Sequence, residues 1–368
     1  MTETLPTPDP PPQPSAGLRP RALRRRTLLG ACLAPLLANG AHATAPDTFP
    51  DGATLLVAGP DGGRLDALSL VVAPAIERAL PPGTVLRRTK AGGADGVTAA
   101  NQFAVRTEPD GDTMLMVPGA AALAWLAGDT RVHFDAAHWV PVMAGLYSGV
   151  VAGRLPAGGL ASGRPIRVAA AGPIGPDLPA LLALDLLGAP VVPVFGIADA
   201  AAARQALVQG RVDLVFLHGS QVPNQVAALG AAGGHPLFSL GTPDQSGAFA
   251  RDPLFPDLPD MAEYCTRLRG APPSGPLYTA WRGTAAAAQL CFGLVLPQLT
   301  PPALVAIWRR AGAAAAGAPE VQAAAASAAF SPVATPGATG STVSIAADMA
   351  SLLELRRWLA TRLDWQPG

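Results

Sequence analysis

From residue 53 onward, short apolar runs alternate with stretches in which apolar residues recur every three or four positions. The first pattern reads as buried strands and the second as helices packed on one face. Residues 53–58 form such a run and end in Gly59-Pro60-Asp61-Gly62-Gly63. Leu65, Leu68, Val72, Ile76 and Leu80 then mark a helix, and residues 84–88 a second strand. Gly92-Gly93 opens a helix running to Val105, and Glu108-Pro109-Asp110-Gly111 is a turn into the strand 113–117. Gly119 starts a short helix, and residues 140–146 give another strand.

A segment rich in Gly, Pro and Ala at 156–165 looks like a crossing, and the alternation then begins again. Strands are expected at 166–171, 191–195, 212–217 and 236–240, with helices at 177–187, 199–208 and from Gln221. After Gly241 the texture is irregular until a strand at 292–296, and three helices are expected near 301–316, 319–328 and 345–363. Strand–loop–helix units in two sets define an α/β architecture of two lobes. The expected boundaries are 44–153 for the first lobe and 154–242 for the second. Residues 243–368 return to complete the first.

The chain of 368 residues is long enough for two such lobes. Basic and acidic residues balance at 26 each, which gives no footprint for nucleic-acid binding. The balance is uneven, however. Residues 1–43 hold five arginines against Glu3 and Asp9, so the remainder carries net charge −3. Arg24-Arg25-Arg26, an apolar stretch from Thr27 to Ala38, and Ala41-His42-Ala43 follow the order of a secretory signal. Arg25-Arg26-Thr27-Leu28-Leu29 also fits the twin-arginine pattern. The expectation is an exported protein, periplasmic and soluble once residues 1–43 are removed. Cys265 and Cys291 would then remain, and an even pair in an exported chain suggests a disulfide, two buried thiols being the alternative.

In α/β sheets a ligand sits beyond the carboxyl ends of the strands, where loops enter helices. Gly62-Gly63, Gly92-Gly93 and Gly119 (with Ala120 behind it) occupy such places in the first lobe, and Ala171-Gly172 in the second. Glycine permits close backbone approach, and the free N–H groups of a helix start favour an anionic group. Phe195 and His218 end second-lobe strands and complete the candidate binding set. No G-x-S-x-G is present, and His133 and His138, five apart, are poorly spaced for one metal, so neither an enzyme nor a metal protein is expected. No cofactor is implied.

Several of these loops share their wording with a known family. Pro60-Asp61-Gly62-Gly63-Arg64-Leu65-Asp66 resembles the P-P-G-G-x-x-D opening of the Bug family, the solute-binding proteins of tripartite tricarboxylate transporters. Gly93-Ala94-Asp95-Gly96, Pro109-Asp110-Gly111-Asp112-Thr113-Met114-Leu115 and Trp139-Val140-Pro141-Val142 are similar to its next motifs, in order. Gly210-Arg211-Val212-Asp213-Leu214 and Leu258-Pro259-Asp260-Met261 extend the likeness toward the C-terminus. The resemblance implies a type II, Venus-flytrap binding protein that closes on a small carboxylate and hands it to transporter membrane subunits or signals to a sensor kinase.

The departures are equally specific. Lys90, the only lysine, stands before the second glycine pair, and Asp61 replaces a proline. Hydroxyls expected around Pro118–Ala122 and Ala171–Pro176 are missing, and residues 266–290 look like an insertion bracketed by the two cysteines. Lys90 and Asp61 therefore become candidates for setting specificity toward a zwitterionic or less polar carboxylate, solvated loop charges being the alternative. A sensor or interaction protein with a vestigial cleft is the alternative.

Overall fold

The computed structural model describes residues 49–155, 157 and 159–367. The signal-like segment, with its twin arginines, lies outside the described residues. The chain starts with β1 (Gly52–Ala58), α1 (Arg64–Glu77), β2 (Val85–Gly92), α2 (Val97–Arg106), β3 (Thr113–Val117), α3 (Gly119–Ala127) and β4 (Val140–Tyr147). Then follow β5 (Gly149–Gly153), β6 (Ile166–Ala169), α4 (Leu178–Leu186), β7 (Val191–Val194), α5 (Ala200–Val208), β8 (Leu214–His218), α6 (Val222–Ala231) and β9 (His235–Ser239). A small hairpin, β10 (Thr242–Pro243) and β11 (Phe249–Ala250), leads to α7 (Met261–Arg269), α8 (Pro276–Gln289) and β12 (Leu290–Leu296). The chain ends with α9 (Pro302–Ala316), α10 (Pro319–Ala328), β13 (Phe330–Ala334), α11 (Gly337–Ile345) and α12 (Met349–Leu363).

Two sheets result. The first has the order β13-β4-β12-β3-β1-β2 and the second β7-β6-β8-β5-β9. β1 pairs in parallel with β2 and β3, whereas β12 returns antiparallel between β3 and β4. The returning strand thus completes the first lobe from the distant end of the chain. In the second sheet β6 is parallel to β7 and β8, and β5 is antiparallel to β8 and β9. Loops that follow strands of both sheets line one cavity.

Side-chain alternation divides the second lobe between two cores. Val151 on β5 and Leu214 and Phe216 on β8 join the large core that also holds the first lobe and α4. Their neighbours Val150, Ala152, Val215 and Leu217 face the other way into a smaller core with Leu207 and Val222. A period of two residues sends successive side chains to opposite faces of a strand. One face of the second sheet is therefore shared with the first lobe through α4, and the other is its own.

Three expectations are corrected. The lobes change at Ser148, because β5 belongs to the second sheet; one unbroken apolar run across β4 and β5 hides the change of sheet. Residues 266–290 contain the end of α7 and all of α8, and α8 is a central helix lying against α3, α4, α11 and α12. Its Trp281 is fully buried and donates from Nε1 to the Pro179 carbonyl on α4 at 2.9 Å. Runs of alanine and small polar residues hide this burial, since the face of α8 is made close-fitting rather than strongly apolar. Finally, Cys265 and Cys291 are free, buried thiols and not a disulfide. Cys265 lies on α7 with Sγ directed at the Ala271 carbonyl, while Cys291 lies on β12 at the interlobe cleft.

No helix among the described residues is long and apolar enough to cross a membrane.

Candidate functional site

A cavity of about 390 Å³ opens between the lobes. Gly59, Pro60 and Arg64 reach it from the β1–α1 loop, Ala94 from the β2–α2 loop, and Pro118, Gly119 and Ala120 from the start of α3. The second lobe contributes Ile174 and Pro176 before α4, and His218 at the end of β8. Tyr147, closing β4, and Cys291, opening β12, form the remaining polar wall. The parallel strands β1–β3 end here and the antiparallel β12 begins here, which is why segments more than 170 residues apart in sequence meet at one site.

Arg64 is the charged group of this cavity. It is the first residue of α1 and stays exposed to solvent, and Nη1 donates to Tyr147 Oη at 3.4 Å. Its guanidinium carbon lies 5.6 Å from the centre of the Tyr147 ring, within cation–π range. Among the described residues no carboxylate lies within salt-bridge distance of it. A cation in the first turn also opposes the helix dipole, so neither a carboxylate nor the helix end offsets its charge. An arginine fork in a cleft walled mostly by proline, alanine and leucine is suited to a carboxylate. Gly119 and Ala120 add N–H groups, because the first turn of α3 has no side-chain cap.

The other polar groups are neutral. Burial pushes the Tyr147 hydroxyl up to about 12 and raises the Cys291 thiol. Cys291 is thus held protonated rather than poised as a nucleophile. Burial, with Arg64 nearby, lowers His218 to about 4, so its imidazole is uncharged at neutral pH. Its ring stacks on Phe216 with centres 5.3 Å apart.

The residues singled out in the sequence separate into two places. Gly119, Ala120 and His218 line the cavity. Gly62, Gly63, Gly92 and Gly93 shape the loops beside it without lining it, and Ala171 and Gly172 do the same in the second lobe. Phe195 is 42% exposed, away from the cavity wall. Lys90 Nζ lies 3.2 Å from Asp61 Oδ1 and 3.1 Å from Asp66 Oδ2, outside the cavity lining. Asp66 also accepts from the Gly62 N–H at 2.9 Å and from Arg88 at 2.7 Å. The Gly62 bond first, and Lys90 next, hold its carboxyl below the ordinary range. This outer network fixes the β1–α1 loop, and Lys90 already faces two carboxylates. Sequence reasoning passed over Arg64, although a basic residue at a helix start was itself a signal that something must compensate it. Among the described residues no cluster of three metal-ligating side chains occurs.

Solved structures of solute-binding proteins align with this chain along most of its length. A TctC solute-binding protein from Polaromonas, determined without ligand, aligns with a TM-score of 0.64 at 18% identity, covering 83% of this chain and 99% of that one. MatC from Rhodopseudomonas palustris with bound malate aligns at 20% identity over 84% of this chain and 100% of its own, with a TM-score of 0.47. The periplasmic binding protein BugD aligns at 17% identity over 85% and 96%, with a TM-score of 0.45. No protein-family model and no curated protein sequence matches the chain. The chain therefore has the fold of a type II solute-binding protein, a likeness carried by the Polaromonas structure.

Proposed function

We propose that this is an extracytoplasmic solute-binding protein whose lobes close on a small carboxylate-bearing molecule and present it to a membrane transporter. The observation that carries the reading is Arg64, an uncompensated guanidinium in the interlobe cavity. The fold supports the class of protein, the signal-like residues 1–43 support export, and the absence of a poised nucleophile at Cys291 argues against turnover. In this reading Arg64 takes the carboxylate and the amides of Gly119 and Ala120 assist. The loop glycines Gly62, Gly63, Gly92 and Gly93, with Ala171 and Gly172 opposite, shape the approach. Phe195 stands outside the pocket.

Calorimetric titration with small mono-, di- and tricarboxylates tests it. Arg64→Ala should weaken the best binder by roughly ten- to a hundredfold, the range for losing one charge-assisted hydrogen bond or more. Lys90→Ala and Asp61→Ala should each change affinity by no more than about threefold, because their charges already face one another and Asp66. Equal affinity in wild type and Arg64→Ala would remove the carboxylate assignment. Binding of no carboxylate, with no small molecule released on denaturation, would instead favour a sensor or interaction protein with a vestigial cleft.

A further inference from the structure

Among the described residues lining the interlobe cavity, Arg64 is the only one with a permanent charge and Tyr147 the only one with a hydroxyl. The rest of the wall is apolar or neutral. Leu65, Leu123, Ile174 and Leu290 present hydrocarbon, His218 is uncharged and Cys291 keeps its proton. A ligand lying here meets one cation on the first lobe and none on the second. We propose that the solute is a monocarboxylate with an uncharged, largely apolar body, and that Asp177 is the residue that excludes a second carboxylate. The inference rests on the carboxylate reading of Arg64 and specifies what the other end of the ligand must lack.

In the second lobe residues 170–177 lead from β6 to α4, and Ile174 and Pro176 bring this loop to the cavity wall. A second carboxylate on a ligand held by Arg64 would find its donors here, in the loop amides and the positive end of the helix. The protein's own carboxylate already takes that place. Asp177, at the start of α4, accepts from the Ala171 N–H through Oδ2 at 2.9 Å and is only 8% exposed. A Cβ on Gly175 would lie 3.3 Å from the same oxygen, so the carboxylate packs against the loop between Ile174 and Pro176. Among the described residues no lysine or arginine lies within salt-bridge distance of it, so its charge is not cancelled. Burial raises its carboxyl to about 6, which still leaves it mainly ionised at neutral pH. Asp177 and His218 also line a hollow of about 200 Å³ with Asp199, a second carboxylate of the same sign, and the uncharged imidazole offsets neither. A further ligand carboxylate on this side would lose its water, meet no cation and face a like charge. An apolar body instead gains by burial against the leucines.

Asp177 also holds the loop before α4, so a structural role must be separated from exclusion. Asparagine does this, since its amide oxygen can still accept from the Ala171 N–H while the negative charge is gone. The test is calorimetric titration of matched acids with one carboxylate or two: pentanoate against glutarate, hexanoate against adipate, and benzoate against terephthalate. In wild type the monoacid of at least one pair should bind about tenfold or more tightly than its diacid, the direction set by desolvation and like charge. Asp177→Asn should bring that ratio to within about threefold, because the diacid gains once the like charge is removed. A merely structural loss would weaken both members together and leave the ratio standing. Should Asp177→Asn fail to fold, Asp177→Ser removes the same charge with a small polar side chain and takes its place. The inference is overturned if the diacid of every pair binds as tightly as the monoacid in wild type, or if the ratio survives removal of the charge. Either result leaves the carboxylate reading in place so long as Arg64→Ala weakens the acids. An Arg64→Ala variant that binds them as wild type does removes that reading, and binding of no acid in any pair removes both.

Discussion

Asp177 and His218 share a wall and titrate in opposite senses. Burial holds the Asp177 carboxyl at about 6 against an ordinary 3.8, so between these values the folded protein keeps a proton that the unfolded chain has released. Its contribution to stability is full below pH 4 and is lost as pH rises through 6. His218 is held at about 4 against 6.5, so the unfolded chain binds the extra proton, and its contribution is present above 6.5 and lost as pH falls through 4. Each is worth roughly 3 kcal/mol across its window, and the two nearly cancel between pH 4 and 6. Urea unfolding should therefore show Asp177→Asn gaining on wild type as pH rises from 4 to 6, and His218→Gln losing ground over the same interval. A wild type and an Asp177→Asn variant with parallel pH profiles would contradict the burial of that carboxylate. Neither charge state was legible in the sequence. His218 could be placed at a strand end, but its neutrality depends on Phe216 and the depth of the wall. Asp177 read as the start of a helix, and Lys90, the rarest residue, drew attention that the geometry gives to Arg64.

Among the elements, α3 and α8 set the floor of the cleft, and one glycine decides how closely they meet. A Cβ on Gly119 would lie 1.8 Å from the Ala287 carbonyl oxygen, a backbone atom that cannot step aside. Gly119→Ala should cost about 3 kcal/mol or more by forcing the helices apart, whereas Gly172→Ala, with nothing within 4 Å of its Cβ, should stay within about 0.5 kcal/mol. Chemical denaturation of the two variants checks the contrast; equal midpoints would mean the helices are not in that contact. Both glycines were picked out in the sequence for the same reason, loop placement after a strand, and only the packing separates them. The alternating units around β1–β3 and β6–β8 were readable because β1, β3, β6 and β8 are short apolar runs bounded by turn residues and α1 repeats its apolar positions every three or four residues. α8 was not, since its buried face is built mostly of alanine, glycine and threonine and its partners lie far away in the chain. The same blind spot made Cys265 and Cys291 look paired across an insertion. Peptide mapping of unreduced, denatured protein should find both alkylated as free thiols.

Over the whole molecule, the two-lobed outline was legible and the joint was not. The sequence suggests two self-contained units with a crossing at 156–165, but α4, a second-lobe helix, is embedded in the first lobe's core. Trp281 bonds to its Pro179 carbonyl, Trp358 donates to Asp185 at 3.0 Å, and Arg362 lies 2.8 Å from the same carboxylate. Removing one of these anchors, as in Trp281→Ala, should cost about 3–5 kcal/mol, the usual range for a buried aromatic, measured by urea unfolding. A loss below about 1 kcal/mol would mean the anchor is not buried as described.

That embedded helix has a thermal consequence. If the lobes were separate bodies linked by a hinge, a scanning calorimeter would resolve two endotherms, one for each. With α4 holding apolar side chains that the first lobe needs, neither half can lose its packing without exposing the other. The excess heat capacity of the ligand-free protein should then show one peak, with calorimetric and van't Hoff enthalpies in agreement.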